Sequence, residues 1–224
     1  MPRVEVALAV TVHGALATGV GSRDARDHLV LRGSQIKGRL RQACEQVARS
    51  LGLAVCRPPA PATMCPRAPQ VVAPPCVVCA LFGAPPWPSP LRWRDLRAVV
   101  EPASGGAEPP LPPFARAGVA LDRRLGVAVP ASAYLVKTSP PLPADGLRFA
   151  SESAITGSLA EAALLQLLLA SCRLLDSVGA GETRGLGWSV VEATARLDGQ
   201  PVAFEAAALG RLTATSQRAG PHER

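Results

Sequence analysis

The segment Leu31-Arg32-Gly33-Ser34-Gln35-Ile36-Lys37-Gly38-Arg39-Leu40-Arg41 contains the clearest local signal in this chain. Apolar residues recur through and beyond it at three- and four-residue spacing, at Ile36, Leu40, Cys44, Val47 and Leu51. This periodicity predicts an amphipathic helix, and Gly52 stands where a helix C-terminal glycine belongs. We expect Ser34 to cap the helix, because a serine oxygen accepts hydrogen bonds from free backbone N–H groups at a helix start.

The first two turns of this helix carry three cations, Lys37, Arg39 and Arg41, together with Gly38. Free N–H groups and the macrodipole at a helix start attract phosphate, and a glycine lets another backbone come close. The pattern therefore suits a nucleic-acid backbone. An ordinary capped helix with a solvated basic face would look the same, so this motif alone leaves both interpretations open.

The remaining chain predicts strands around two helices. Residues 4–12 alternate between apolar and smaller or polar side chains, as in a strand with one buried face, and residues 118–124, 147–155 and 187–197 also read as strands. Residues 159–178 predict a second helix that is apolar on most sides and therefore central. Prolines recur through residues 57–113 and limit regular structure there to a short strand within 91–100.

This order of elements predicts an α+β fold with a ferredoxin-like core. We expect a single domain over residues 1–224, with an insertion at about residues 53–113 and a hairpin arm at about residues 125–146.

Four of the six cysteines, Cys56, Cys65, Cys76 and Cys79, follow the spacing C-x8-C-x10-C-x2-C inside the insertion. Two residues between the last pair let both sulfurs face one ion across a tight turn. We predict a structural Zn²⁺ held by all four, which staples a segment with few large apolar residues. The site would be incomplete if Cys56 or Cys65 were an unrelated thiol. The other two cysteines lie on apolar helix faces and are expected in the core.

Charge and the absence of export signals limit the partners and the compartment. The sequence has 24 Lys and Arg against 17 Asp and Glu, a formal charge of +7, and only Lys37 and Lys137 are lysines. Arginine binds phosphate through paired donors, so a polyanionic partner is plausible, although a GC-rich genome would also enrich arginine. We see no signal segment or long uninterrupted apolar run, and expect a cytoplasmic protein without membrane contact whose cysteines stay reduced.

The sequence lacks the motifs of several other enzyme classes. No glycine-rich loop ends in Gly-Lys-Ser or Gly-Lys-Thr, which argues against an NTPase, and no nucleophile-elbow sequence accompanies a Ser-His-Asp or Cys-His set.

Three ordered motifs resemble those of the RAMP superfamily of CRISPR effector proteins, and in particular the backbone subunits of type III complexes. The first is the Gly33 to Arg41 run quoted above. The second is Cys76-Val77-Val78-Cys79-Ala80-Leu81-Phe82-Gly83, like the family's Cys-rich segment that ends in Leu-Phe-Gly. The third is Gly179-Ala180-Gly181-Glu182-Thr183-Arg184-Gly185-Leu186-Gly187, like its glycine-rich loop.

The resemblance implies an RRM-like fold that binds a CRISPR guide RNA through its backbone, while base pairing reads the target RNA. It also implies assembly with other CRISPR effector subunits, in which an arm of each subunit kinks the guide–target duplex. The residues we expect at the RNA are Ser34, Lys37, Arg39, Arg41, Arg123, Arg124, Arg184 and Gly185.

Cleavage of target RNA is attributed in this family to an aspartate in the loop before the Gly-Ser turn. That loop holds Asp24 and Asp27 here, and a carboxylate can bind Mg²⁺ or take a proton from the 2′-hydroxyl. Both could instead pair with neighbouring arginines. Three alternatives stay open: a non-catalytic structural subunit of the same complex, a metal-free guide-processing endoribonuclease that uses His28, and a zinc-stapled protein-interaction module unrelated to RNA.

Overall fold

The computed structural model describes residues 1–17, 29–65, 75–99, 114–139 and 142–212. Its elements in chain order are β1 (Arg3–His13), β2 (Val30–Leu31), α1 (Gly33–Ser50), α2 (Val77–Phe82), β3 (Leu91–Trp93), β4 (Leu96–Ala98), β5 (Phe114–Asp122), β6 (Val127–Thr138), β7 (Leu147–Ser158), α3 (Ala162–Leu174), β8 (Trp188–Leu197) and β9 (Gln200–Val202). Short 3₁₀ turns occur at Glu182–Arg184 and Ala206–Leu209. No helix within the described ranges is both long and apolar enough to cross a membrane.

A single antiparallel sheet is built around β1. Its strand order is β2-β4-β7-β1-β8-β9, and β3 also pairs with β7. β1 pairs with β7 on one side and with β8 on the other, with a bulge between Val6 and Leu8 on the β7 side. Helices and antiparallel strands are thus combined as the predicted α+β class requires, and the predicted strands at residues 4–12, 147–155 and 187–197 are confirmed.

The core lies between this sheet and the two long helices. Every second residue of β1, from Val4 through Val12, is buried, and these side chains join one cluster with buried residues of α1 and α3. α3 is buried on most sides, as predicted. Its one buried amide, Gln166, donates to the Ala203 carbonyl oxygen and accepts from the Glu205 N–H, so burial leaves that side chain hydrogen-bonded. Cys44 and Cys172 are buried core residues, also as predicted.

The start of α1 differs from the prediction. Arg32 occupies the N-cap position, and Ser34 is an exposed second residue of the helix rather than its cap. The Asp95 carboxylate, which follows β3, accepts the Gly33 N–H at 2.8 Å and pairs with the Arg32 guanidinium at 2.8 Å. The acceptor that satisfies the helix start therefore comes from a distant part of the chain, which local spacing does not reveal.

The predicted insertion contains more regular structure than its prolines suggested. α2 forms directly after Cys76, and β3 and β4 both pair with β7 in the central sheet. The hairpin of β5 and β6 forms a separate two-stranded sheet. It begins at Phe114, so the segment at residues 118–124 belongs to this hairpin rather than to the core, and the hairpin ends at Thr138, inside the predicted arm range.

Candidate metal centre and nucleic-acid interface

The four predicted cysteines converge on one point. The sulfur atoms of Cys56, Cys65, Cys76 and Cys79 all lie within 4.8 Å of one another, and the Cys56 and Cys79 sulfurs are 3.5 Å apart. Three of the four residues are buried, in a small cluster with Ala84 and Trp87 that is separate from the main core. α2 explains the closeness of the last pair, because Cys76 is its N-cap and Cys79 lies in its first turn.

The thiols of this cluster are linked by hydrogen bonds that favour one thiolate. A hydrogen bond from the Cys79 side chain lowers the pKa of Cys76 to about 4, against the opposing effect of burial. The same bond raises the pKa of Cys79. Burial raises the pKa of Cys65. In the core, by contrast, burial raises the pKa of both Cys44 and Cys172 to about 12, which keeps them neutral thiols.

This arrangement can hold a metal ion. Tetrahedral Zn²⁺ with four thiolates at about 2.3 Å requires sulfur–sulfur distances of about 3.8 Å, close to the spacing found here. Four soft ligands fill all positions of such an ion, which is typical of structural sites and leaves none for a substrate. The chemistry of the ligands and their burial therefore fit a structural rather than a catalytic metal.

Arg41 connects α1 to the cysteine cluster. Its guanidinium donates to the Gly83 carbonyl oxygen at 3.0 Å and to the Cys79 sulfur at 3.5 Å, and Glu45 pairs with it at 3.4 Å. A cation beside four thiolates reduces the negative charge that a Cys₄ metal site accumulates. This residue was predicted at the RNA, and the structure directs its guanidinium towards the cluster.

The exposed face of the first α1 turns carries Ser34, Lys37 and Gly38, which share one side of the helix at three- and four-residue spacing. Burial, and then the nearby Arg41 charge, lower the pKa of Lys37. Gly38 is exposed, and a Cβ built there meets no atom of the described residues within 4 Å. Gly33 differs, because its Cβ would lie 2.7 Å from the Trp93 carbonyl oxygen and 2.9 Å from that of Arg94.

Arg39 connects α1 to the glycine-rich loop. Its guanidinium donates to the Ser177 hydroxyl at 2.6 Å and to the Ser177 carbonyl oxygen at 3.1 Å, and it pairs with Glu182 at 2.5 Å. The Asp176 carboxylate lies 4.0 Å away. The first and third sequence motifs are thus joined by one side chain that also fixes the loop.

The glycine-rich loop holds its shape through glycines with positive φ. Gly187, at φ 67°, packs against the Val178 carbonyl so tightly that a Cβ would collide with it. Gly185, at φ 73°, is exposed and adopts a left-handed conformation that favours glycine. Arg184, directly before Gly185, is exposed, and its guanidinium lies 4.9 Å from the ring centre of Tyr134 in β6. This cation–π contact joins the loop to the hairpin.

Arg123 and Arg124 lie apart from these motifs, in the exposed turn at the tip of the hairpin. The Asp122 carboxylate accepts the N–H groups of Arg124 and Leu125 at 2.8 and 3.0 Å, which shapes the turn. Asp24, Asp27 and His28, the residues predicted for catalysis, lie outside the described residues.

An aromatic contact at the end of the sheet was missed by sequence reasoning. Trp188, directly after the glycine-rich loop, is 59% exposed and packs against His13, its neighbour on β1, with ring centres 5.1 Å apart. Trp93 and Trp87 are packing residues instead: Trp93 stacks on Phe82, and Trp87 lies against the cysteine cluster. The sequence places Trp188 in a predicted strand, but it shows neither the exposure of this side chain nor its partner on another strand.

Comparison with known protein families identifies the family of this chain. No curated protein matches the chain. The family model of the RAMP superfamily matches residues 10–191, a range that includes α1, the cysteine cluster and the glycine-rich loop. Membership supports, in general terms, a CRISPR-associated RNA-binding subunit whose partners are CRISPR RNA and effector components. Because the match covers most of the chain, this protein belongs to the RAMP superfamily.

Proposed function

We propose that this protein is a guide-RNA-binding backbone subunit of a type III CRISPR effector complex. The observation that carries the proposal is Gly38. A glycine inside a helix costs about 1 kcal/mol relative to alanine, and no described residue packs close to this one. The described part of the fold therefore does not explain it, whereas a backbone from outside the molecule that approaches α1 at Gly38 does.

The proposed RNA-binding residues supply different kinds of contact. Ser34 and Lys37 lie on the same side of α1 as Gly38, and Arg184 and Gly185 are exposed on the glycine-rich loop. Arg39 and Arg41 hold α1 against the loop and the cysteine cluster, so their contribution to RNA affinity is mainly to position that surface. Arg123 and Arg124, at the hairpin tip, would contact the guide–target duplex or a neighbouring subunit.

Fold details support the same proposal. The four main strands occur in the spatial order β8, β1, β7 and β3/β4, with antiparallel pairing and with α1 and α3 as the two connecting helices. We propose that these four strands and two helices form a ferredoxin-like core, which this strand order supports. We also propose Zn²⁺ as the metal of the cysteine cluster, because four thiolates in tetrahedral spacing select it.

The binding proposal is tested by titrating guide-repeat RNA and matched DNA at two salt concentrations. We expect salt-sensitive affinity for RNA, and Lys37→Ala should weaken it several-fold and reduce the salt slope by about one. Arg49→Ala is the matched control, since it removes one exposed cation from the far end of the same helix. Equal losses in both variants, or no affinity for RNA in the unaltered protein, would contradict the proposal.

Cleavage is a separate part of the proposal. We expect the protein, assembled with guide RNA and its partner subunits, to cut target RNA in the presence of Mg²⁺, with Asp24 or Asp27 as the catalytic carboxylate. Asp24→Ala and Asp27→Ala are compared with Glu161→Ala, an exposed carboxylate before α3. Loss of cutting in one aspartate variant, with guide binding unchanged, supports the assignment. Binding without Mg²⁺-dependent cuts in the unaltered complex instead identifies a structural subunit.

A further inference from the structure

Trp188 borders a cavity that no motif described above explains. The cavity has a volume of about 560 Å³, within the size range of small-ligand sites. Gln42 and Gln46 of α1 line one side, and Leu174 and Asp176 at the end of α3 line another. The glycine-rich loop contributes further wall residues, among them Glu182 and Gly185. A large aromatic surface, two amides and two carboxylates therefore meet in one concave site.

The charges in this cavity disfavour phosphate. Arg39 lies in its wall, but Glu182 pairs with that guanidinium at 2.5 Å and Asp176 stands 4.0 Å from it. One cation against two carboxylates gives the site a formal charge of −1. The Asp176 side chain is 80% exposed, so its oxygens are accessible to a donor. The site therefore suits a neutral group that offers N–H donors and an aromatic face.

One exposed cation adjoins the wall of the cavity, with its guanidinium 4.9 Å from the Tyr134 ring centre. Arg184 is exposed and adjoins Gly185, a wall residue. A cation outside and carboxylates inside match a nucleotide whose phosphate stays at the rim while its base enters. A protein side chain such as arginine would suit the interior, yet it would gain nothing from the cationic rim.

We propose that this cavity binds one unstacked base of single-stranded RNA, stacked on Trp188 and donating hydrogen bonds from its Watson–Crick edge to Asp176. Guanine suits it best, because its N1–H and N2–H groups form a parallel pair of donors that matches a carboxylate. Uracil offers a single N–H between two carbonyl oxygens, which the carboxylates repel. This inference rests on the proposed function and adds a preference among bases at a defined site.

The test measures fluorescence anisotropy of two labelled RNAs, an octamer of uridine and the same octamer with one central guanosine. We expect the unaltered protein to bind the guanosine octamer at least about fivefold more tightly, as expected for one well-placed base. Trp188→Ala and Asp176→Asn should each remove this preference while leaving affinity for the uridine octamer within about twofold. Val190→Ala is the control, an exposed apolar residue on the same strand that lies outside the cavity wall.

The outcomes separate the two proposals. If the unaltered protein binds the uridine octamer in a salt-sensitive manner but shows no preference for guanosine, the cavity inference fails and the proposed function stands. A preference that survives in Trp188→Ala, with that variant folded by its melting temperature, also overturns the inference. If an arginine-rich peptide binds the cavity and Trp188→Ala abolishes that binding while base preference is absent, the site receives a protein partner instead. No affinity for either RNA overturns both proposals.

Discussion

The cysteine cluster and the glycine-rich loop are both joined to α1 by one arginine each. Arg41 contacts the cluster and Arg39 contacts the loop. Two residues apart on a helix means about 200° around its axis, so these side chains leave α1 in nearly opposite directions. The same short motif thus contacts two separate regions. The two regions differ in which groups satisfy their polar side chains.

The loop is completed by the protein's own side chains, whereas the four thiols of the cluster could hold a metal ion. Arg39, Ser177 and Glu182 satisfy one another through hydrogen bonds and an ion pair. The four cysteine sulfurs lie close to one another, with the Arg41 guanidinium beside Cys79, and ionising several of them without a metal would place like charges together. Metal should therefore control the stability of one region and leave the other unaffected.

Removal of the metal has the largest expected effect. We predict that a strong chelator, or Cys76→Ser with Cys79→Ser, lowers the melting temperature by about 10 °C, since losing about 3–4 kcal/mol shifts a domain of this size by that amount. Elemental analysis should find one zinc per chain in the unaltered protein and none in the double variant. Cys172→Ala, in the α3 core, serves as the control and should retain its zinc. A melting temperature insensitive to chelator would contradict the metal assignment.

Arg41 is the next test, because it distinguishes a metal-supporting residue from a direct RNA contact. We predict that Arg41→Ala lowers zinc affinity by about tenfold, the usual cost of losing a group that supports metal ligands. Competition with a chromogenic chelator measures this change. Arg39→Ala should leave zinc affinity unchanged, since its contacts lie with the loop. If the two variants have equal zinc affinity, the contact between Arg41 and the cluster does not stabilise the bound metal.

Arg39 tests the loop in the same way, and we expect its loss to change stability less than loss of the metal does. Arg39→Ala leaves Glu182 and Ser177 without their cationic partner, which we expect to destabilise the protein by about 1 kcal/mol. Part of the ion-pair energy is already screened because the Glu182 side chain is 43% exposed. Urea unfolding measures the change, and Arg49→Ala at the exposed end of α1 should shift stability by less than about 0.5 kcal/mol. Increased salt should reduce the difference in unfolding free energy between the two variants, because it screens the ion pair.

Sequence periodicity predicted the elements that local pattern controls. β1, β7, β8, α1 and α3 were all expected, because their burial patterns follow the periods of a strand or a helix. The cysteines were also found, since a C-x2-C pair in a helix turn is itself a local feature. Spacing could not show which partner each arginine contacts, that Asp95 completes the start of α1, or that His13 meets Trp188. Those contacts join residues on different elements and depend on the strand order.

Two glycines of the α1 motif give the sharpest separation of fold from function, and the smallest effect is expected at Gly38. Gly33→Ala should destabilise the protein by about 1–3 kcal/mol, because its Cβ would press on the Trp93 and Arg94 carbonyl oxygens. Gly38→Ala should instead stabilise it by about 0.5–1 kcal/mol, since the helix gains a better helix former in open space. If Gly38 serves RNA, the same variant should bind guide RNA several-fold more weakly despite its greater stability. Unfolding curves and RNA titrations on one preparation measure both quantities. A Gly38→Ala protein that is more stable and binds RNA with unchanged affinity would show that this position has no role at the interface, and the RNA surface would then have to be sought on the glycine-rich loop.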